Sequence, residues 1–421
     1  MPFTSAVTRS RWSDLAVAAA GQFLAALGTF LVMVTLVLAL QQRGASGLEV
    51  AALIICEALP MVALGKLIGL AVDRFDSRWI LILSGIGQVA ACLALSVADD
   101  LTSVLIGATA LAVASGVAMP ARAALVPAMV TRDDLPKASA IGQTASSAGM
   151  MLGPALAGFL VGGLGVERTT QLAAALFLGT IVAGLTIRTR RGGRWNETAP
   201  VSPAAPGAIT ALPDPSAPAL APWSLRQDRL LRSTAWGLAA VLCTISAVNV
   251  VLVFFIMRTL GGNEQQYGLV DSMWTVGMLV GAWLFSRLVR PSTTDRTLAL
   301  GLFVALGIIA LSLIGIGTVS SALWIVPFYL IGGTQNGGLN VIAGTLLGRR
   351  VPADARGRAN TALAMRVQGG ALVGYAAGGL LLELASARWI VLGCGVLGLA
   401  MVLLAAPVVV RAARSPEPVP A

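Results

Sequence analysis

The stretch Gly69-Leu70-Ala71-Val72-Asp73-Arg74-Phe75-Asp76-Ser77-Arg78 joins two apolar runs, 48–72 and 79–97. A helix needs about 20 apolar residues to cross a hydrocarbon core of about 30 Å, and both runs suffice. So short a connection returns the chain at the same membrane face. It holds an acid and several bases at the membrane edge, beside a glycine that lets helices approach closely. Asp73 is placed to accept hydrogen bonds from a neighbouring helix N-terminus, whose dipole favours an anion. Arg74 and Arg78 are placed to pair with acids or lipid headgroups. Such a cluster serves either as a latch between two moving parts or as plain positive flanking of two spans.

Working outward, the same pattern recurs along the chain. Of its 421 residues 57% are hydrophobic and 11% charged, against roughly 25% charged in soluble proteins. The spans we expect are 15–40, 48–72, 79–97, 102–127, 138–163, 169–187, 232–257, 265–288, 297–316, 321–348, 359–383 and 389–410. The segment Thr297–Gly348 has no charge, and we break it near Gly317-Thr318-Val319-Ser320, where small and polar residues suit a turn. Met1–Asp14 lacks a signal-peptide layout, and Leu15–Gln42 is long enough to stay in the membrane. The expectation is an all-α integral membrane protein with 12 transmembrane helices in two pseudo-symmetric six-helix bundles.

The net charge of +10 invites a nucleic-acid reading, but its distribution opposes one. With the N-terminus inside, 22 of the 29 cations fall on cytoplasmic segments and four (Arg43, Arg168, Arg258 and Arg388) on outer loops. Short loops obey the positive-inside rule, so both termini are expected in the cytoplasm. The remaining three cations, Lys66, Arg122 and Arg366, lie inside spans. The bias toward Arg and Ala is that of a high-GC bacterial genome, which places the protein in a bacterial cell (inner) membrane.

Residues 188–228 open with a run of arginines and continue through a Pro/Ala/Ser-rich stretch. That composition builds no core and reads as a flexible cytoplasmic linker. It separates a first bundle, 1–187, from a second, 229–421, which ends in a short cytoplasmic tail. An internal repeat agrees with the division. At an offset of 221 residues, Gly149, Gly153 and Gly158 fall on Gly370, Gly374 and Gly379, Val130 on Val351 and Lys137 on Arg358. Parallel repeats of this kind are one known transporter plan.

Within the span 138–163 stands Gly149-Met150-Met151-Leu152-Gly153-Pro154-Ala155-Leu156-Ala157-Gly158. Glycines four apart make a smooth helix face, and the proline removes a backbone donor and bends the helix. These two segments carry a resemblance. Gly69, Asp73, Arg74 and Arg78 match the signature loop G-x-L-a-D-R-x-G-R-R of the major facilitator superfamily. Asp76 stands where a glycine is usual and Ser77 where a base is usual, which questions the tight turn of the loop. Gly149, Gly153, Pro154 and Gly158 resemble the antiporter motif G-x-x-x-G-P-x-x-G-G of that superfamily's drug exporters, with Ala157 replacing one glycine. Pro120–Pro127 with Arg132–Lys137, and Arg349–Arg358, are similar to loops of the enterobactin-exporter group. The second-half loop Gly281–Arg290 keeps a glycine and bases but has no acid. The resemblance implies the major facilitator fold and drug:proton antiport.

A charge at bilayer depth costs about 2.5 kcal/mol or more, so each one is a candidate site. Glu57 lies among Ile55, Cys56, Ala58 and Leu59. Removal from water favours the neutral carboxyl group, which suits a reversible proton carrier, although a structural ion pair is the alternative. Asp271 is the second candidate carrier, unless the outer interface solvates it. Arg122 and Arg366 are buried cations that would oppose protonation of a nearby acid, and Arg122 is also within snorkelling reach of the cytoplasmic edge. The uncharged polar residues Gln22, Gln143, Asn249, Gln335, Asn336 and Asn340 also lie in spans. In the superfamily the first, fourth, seventh and tenth helices line the cavity, so the resemblance marks Gln22, Asn249, Asn336 and Asn340 as cavity residues. Hydrogen bonding between helices is the competing role.

There is no histidine, and the four cysteines (Cys56, Cys92, Cys243 and Cys394) have the spacing of neither a metal site nor a disulfide framework. No nucleophile–base pair or phosphate-binding loop points to an enzyme, and no cofactor is expected. The leading expectation is proton-coupled efflux of small amphipathic or hydrophobic compounds by a monomeric protein whose partners are substrate, protons and lipid. The alternative is a dedicated exporter of one secreted metabolite, such as a siderophore or a self-made antibiotic. A nontransporting scaffold or sensor is the third reading.

Overall fold

A computed structural model describes residues 10–131, 133–189, 228–290, 292–352 and 355–412. Among these the regular structure is helical, as a lipid environment requires, because a helix satisfies its own backbone hydrogen bonds. The helices are α1 Trp12–Gln42, α2 Gly47–Arg74, α3 Ser77–Ser96, α4 Leu101–Met129, α5 Leu135–Thr186, α6 Arg229–Phe254, α7 Glu264–Leu288, α8 Asp295–Thr318, α9 Ile325–Arg350, α10 Arg356–Leu382 and α11 Ala387–Ala412. Helix α5 makes two passes, because Gly165 adopts φ 81° and ψ 172° and breaks it in the middle. That left-handed φ is one glycine tolerates without a Cβ penalty. Among the described residues the eleven helices therefore make 12 helical passes.

Short polar residues set the helix starts. Ser46 and Glu49 form a reciprocal capping box on α2, Asp100 caps α4 through the Ser103 amide, and Thr294 caps α8 through the Thr297 amide. The expected break in the uncharged segment is present: α8 ends at Thr318, and a 3₁₀ turn, Ala322–Trp324, leads into α9. Among the described residues, nine stretches are long and apolar enough to cross a membrane, with both passes of α5 counted as one. Helices α9 and α10 are not among them, for they carry Gln335, Asn336, Asn340 and Arg366 with many glycines.

The chain divides into two compact units. Of the described residues, the first holds those up to Thr189 together with Val253–Thr275, and the second holds the rest. In the first unit α1 packs along α5, α3 packs on α4 and α5, and α2 packs on α4. One end of this unit closes on a core that includes Leu15, Leu81, Ala121, Leu125, Met129 and Ile187. In the second unit α8 packs between α9 and α11.

The repeat read in the sequence reappears as packing. A methyl group placed on Gly149 would lie 2.6 Å from the Phe23 carbonyl oxygen, and one on Gly153 would lie 3.1 Å from the Leu31 amide, both on α1. In the second unit the equivalent Gly370 meets the Ala239 carbonyl at 2.6 Å, and Gly374 meets the Cys243 carbonyl, both on α6. The third match differs. Gly378, four residues on, continues the α10 stripe onto Ala247 of α6, whereas Gly158, five residues past Gly153, turns off the α1 face. A step of five residues rotates a helix position well away from the stripe that a step of four maintains.

Candidate functional site

The latch segment spans the end of α2 and the start of α3. Gly69 and Asp73 belong to α2, and their side chains lie outside the described residues. Arg74 is exposed. Arg78 is half-buried, and its Nη2 donates to the Leu185 carbonyl at the end of α5 at 3.4 Å. Asp76, the departure from the signature, caps α3: its Oδ1 accepts from the Arg78 amide at 2.9 Å. Its φ is −60°, so the connection needs no glycine there, and the substitution trades a flexible turn for a helix cap.

The antiporter segment lies on the first arm of α5, and its small residues serve two partners. Gly149 and Gly153 admit the backbone of α1. Gly158 faces the backbone of Glu264, and Gly268 on α7 faces the carbonyl of Pro154 so closely that neither has space for a side chain. Pro154 itself is buried within the helix.

Glu57 occupies the middle of α2 and is half-buried. Among the described residues no hydrogen bond or ion pair engages it. Asp271 on α7 is likewise half-buried and unengaged among the described residues. At about 1.5 Å per residue, Glu57 lies about 15 Å and Asp271 about 10 Å from the N-terminal starts of their helices. Both acids therefore fall in the first half of their helices.

The cations are elsewhere. Arg122 is 7% exposed, so it does not snorkel. Its Nη1 donates to Thr180 Oγ1 at 3.4 Å, linking α4 to the second arm of α5. Close by, Gln88 on α3 donates to Ser115 Oγ on α4 at 3.0 Å. Arg366 donates to the Ala362 carbonyl one turn back at 2.7 Å and lies 5.8 Å from the centre of the Trp236 ring.

The polar residues are less buried than their neighbours. Asn249 is exposed within an otherwise buried run of α6, Asn340 is exposed, and Asn336 and Gln22 are half-buried. On α9 the adjacent glycines are closed in, since Gly337 meets the Met278 carbonyl and Gly338 the Phe285 ring of α7. Gln143 is exposed and donates to Ser147 on its own helix at 3.4 Å.

Two polar clusters were not anticipated from the sequence. In the first unit Asp14, buried at the start of α1, accepts from the Thr189 amide at 2.9 Å and its hydroxyl at 2.7 Å. Nearby, Asp134 accepts from Ser10 and Thr131, and Lys137 lies over the Trp12 ring. In the second unit Arg350 binds Asp228 at 2.8 Å and Asp295 at 3.1 Å. Arg349 donates to the carbonyls of Arg290 and Thr293. The acid missing from the loop 281–290 is thus supplied by the starts of α6 and α8. An acid just before an apolar run is a readable capping signal, but its long-range partner is not.

Comparison with known proteins bears on the family and the fold. The family model described as the Major Facilitator Superfamily matches residues 18–335 and 234–421. An uncharacterized MFS-type transporter, YfiS of Bacillus subtilis (strain 168), is 25% identical over 384 residues, covering 90% of this chain and 89% of that protein. Among solved structures, the nucleoside transporter NupG superposes with a TM-score of 0.72 at 11% identity, covering 94% of this chain and 98% of that one. A bacterial homologue of the iron transporter ferroportin in an inward-facing state gives 0.71 at 18% identity, covering 97% and 100%. At these identities the structural likeness speaks for the fold alone.

Proposed function

The chain belongs to the Major Facilitator Superfamily, and on that premise we propose that this multi-pass membrane transporter is a proton-coupled exporter of small amphipathic or hydrophobic compounds. The observation that carries the reading is Glu57. A carboxyl group in the middle of a membrane helix, engaged by no cation or donor among the described residues, is inexpensive to bury when protonated and costly when ionised. Its proton occupancy can therefore bias a two-state transporter. Asp271, likewise in the first half of its helix α7, is the second carrier.

The Gly-Pro segment supports export, because its glycines meet the backbones of α1 and α7 in the manner of an antiporter motif. Gln22, Asn249, Asn336 and Asn340 would orient substrate from exposed or half-buried helix faces. Reading the protein as a dedicated exporter of one anionic metabolite relied on Arg122 and Arg366. Each is engaged within its own unit, which favours the broader substrate range. The protein would act without enzymatic chemistry, as a monomer in the bacterial inner membrane with both termini in the cytoplasm.

The test is an accumulation panel of drugs and secreted metabolites in cells with and without the protein, repeated with a protonophore. Lower accumulation of several unrelated amphipathic compounds, abolished by the protonophore, is expected. Retention of a single endogenous metabolite in the deletion strain would select the dedicated exporter. Protonophore-insensitive efflux would remove the proton.

A further inference from the structure

The interior of the first unit gathers polar side chains from three neighbouring helices. These are Ser84 and Gln88 on α3, Ser115 and Arg122 on α4, and Thr180 on the second arm of α5. All but the half-buried Ser115 are more than nine-tenths buried.

Helix geometry makes them converge. Ser84 and Gln88 are about one turn apart and share a face of α3, and Ser115 and Arg122 are about two turns apart on one face of α4. Gln88 Nε2 donates to Ser115 Oγ at 3.0 Å and holds the two helices in register. Side chains on a helix lean toward its N-terminus, so the Arg122 guanidinium reaches back along α4 toward the level of Ser115. On that path its Nη1 meets Thr180 Oγ1 at 3.4 Å. A methyl group placed on Gly85, next to Ser84, would lie 3.4 Å from Thr180 Cβ, which brings the α3 turn Ser84–Gln88 to the same place.

The hydrogen bonding of this centre is incomplete. One long bond occupies one of the guanidinium's five donors. Among the described residues no carboxylate pairs with Arg122, and Ser84 Oγ and Gln88 Oε1 meet no partner. An arginine does not shed its charge by losing a proton, and a buried charge without a counter-charge is strongly destabilising. The hydroxyls of Ser84 and Thr180 can both donate. Turning the Gln88 amide over lets Ser115 donate to Oε1 and presents Nε2 to the same space. The result is a set of donors around one positive charge, which is the complement of an anion.

We propose that this centre holds a small monovalent inorganic anion of the chloride class. The Arg122 guanidinium and the hydroxyls of Ser84 and Thr180 bind it, and the Gln88 amide completes the shell. Arg122 is flanked on its own helix by the fully buried Ala118, Ala121 and Leu125, so the ion is a resident of the core rather than cargo. It neutralises the arginine and ties α3, α4 and the second arm of α5 together. The site is independent of substrate, transport direction and proton coupling.

Thermal unfolding of the full chain in detergent tests it, with sodium chloride exchanged for sodium gluconate at constant ionic strength. Gluconate is a bulky organic anion and serves as the inert control. The unfolding temperature should rise saturably with chloride, as for any ligand that binds only the folded state, and bromide should replace chloride. Ser84→Ala keeps the charge and removes one donor, so the chloride concentration at half effect should rise at least about fivefold. Arg122→Met removes the charge. Its chloride response should vanish, while its unfolding temperature in gluconate stays at or above that of the native chain. Where Arg122→Met does not fold, Ser84→Ala and Thr180→Val carry the test. Equal unfolding temperatures of the native chain in chloride and in gluconate would overturn the site. So would a chloride response that Ser84→Ala and Thr180→Val both leave unchanged, since the ion would then bind elsewhere on the chain.

Discussion

A side chain on Gly268 would strike the carbonyl oxygen of Pro154, so α7 and the first arm of α5 touch through bare backbone. The same economy of side chains joins α5 to α1 and α10 to α6. Where helices meet this closely, added volume must push them apart, because neither backbone can yield.

Gly153→Leu and Gly374→Leu should therefore damage equivalent contacts in the two units. Each is expected to cost about 1–3 kcal/mol, the usual range for overpacking. Thermal unfolding in detergent should fall for both, and Gly163→Leu, whose Cβ meets nothing within 4 Å, should leave it unchanged. Equal unfolding temperatures for all three variants would contradict the packing.

Glu57→Gln keeps size and polarity but cannot exchange a proton. Proton-driven efflux in inverted vesicles should drop at least about tenfold, an effect of about 1.4 kcal/mol, while binding of an exported compound persists. Asp271→Asn should lower efflux less. Full proton-dependent efflux by Glu57→Gln would assign the coupling elsewhere.

Arg350→Met would strand Asp228 and Asp295, whose side chains are 4% and 19% exposed. Removing one member of a buried ion cluster typically costs about 3–5 kcal/mol. A large fall in unfolding temperature is expected, partly recovered when Asp228→Asn is added. A single variant as stable as the native chain would show that the cluster is not holding α6, α8 and α9 together.

The cluster around Asp134 carries a pH signature. The Ser10 hydroxyl, and after it the Thr131 hydroxyl, hold the Asp134 carboxyl below its ordinary range, with Lys137 adding to them and burial opposing. A carboxyl lowered in the folded state contributes stability above its unfolded value of about 4 and loses it as the pH falls through the lowered value. Amide exchange at residues 11–15 should therefore be slow at neutral pH and accelerate in acid. Asp134→Asn should remove the acid step. Persistence of that step in the variant would place the titration in another group.

Much of the architecture was legible in one dimension. Hydropathy and glycine breaks placed every helix within a few residues, and the Gly-Pro segment and latch loop pointed to the superfamily. The sites were legible as residues but not as partners. Arg122 read as a buried cation within a span, but its partner Thr180, 58 positions away, could not be read. Asp76 read as a flaw in a loop and proved to be a helix cap.

The number of spans and the family signature follow from the sequence alone, because length, hydropathy and spacing are properties of contiguous residues. The direction each helix faces belongs to the tertiary structure. A membrane helix is apolar toward lipid and toward its neighbours alike, so hydropathy leaves its rotation about its own axis unspecified. Packing sets that rotation, and with it two outcomes absent from any linear reading: Gly158 meets Glu264 rather than α1, and Asp228 and Asp295 converge on Arg350. The cap by which Asp76 closes the Gly69–Arg78 loop is local and belongs to the sequence.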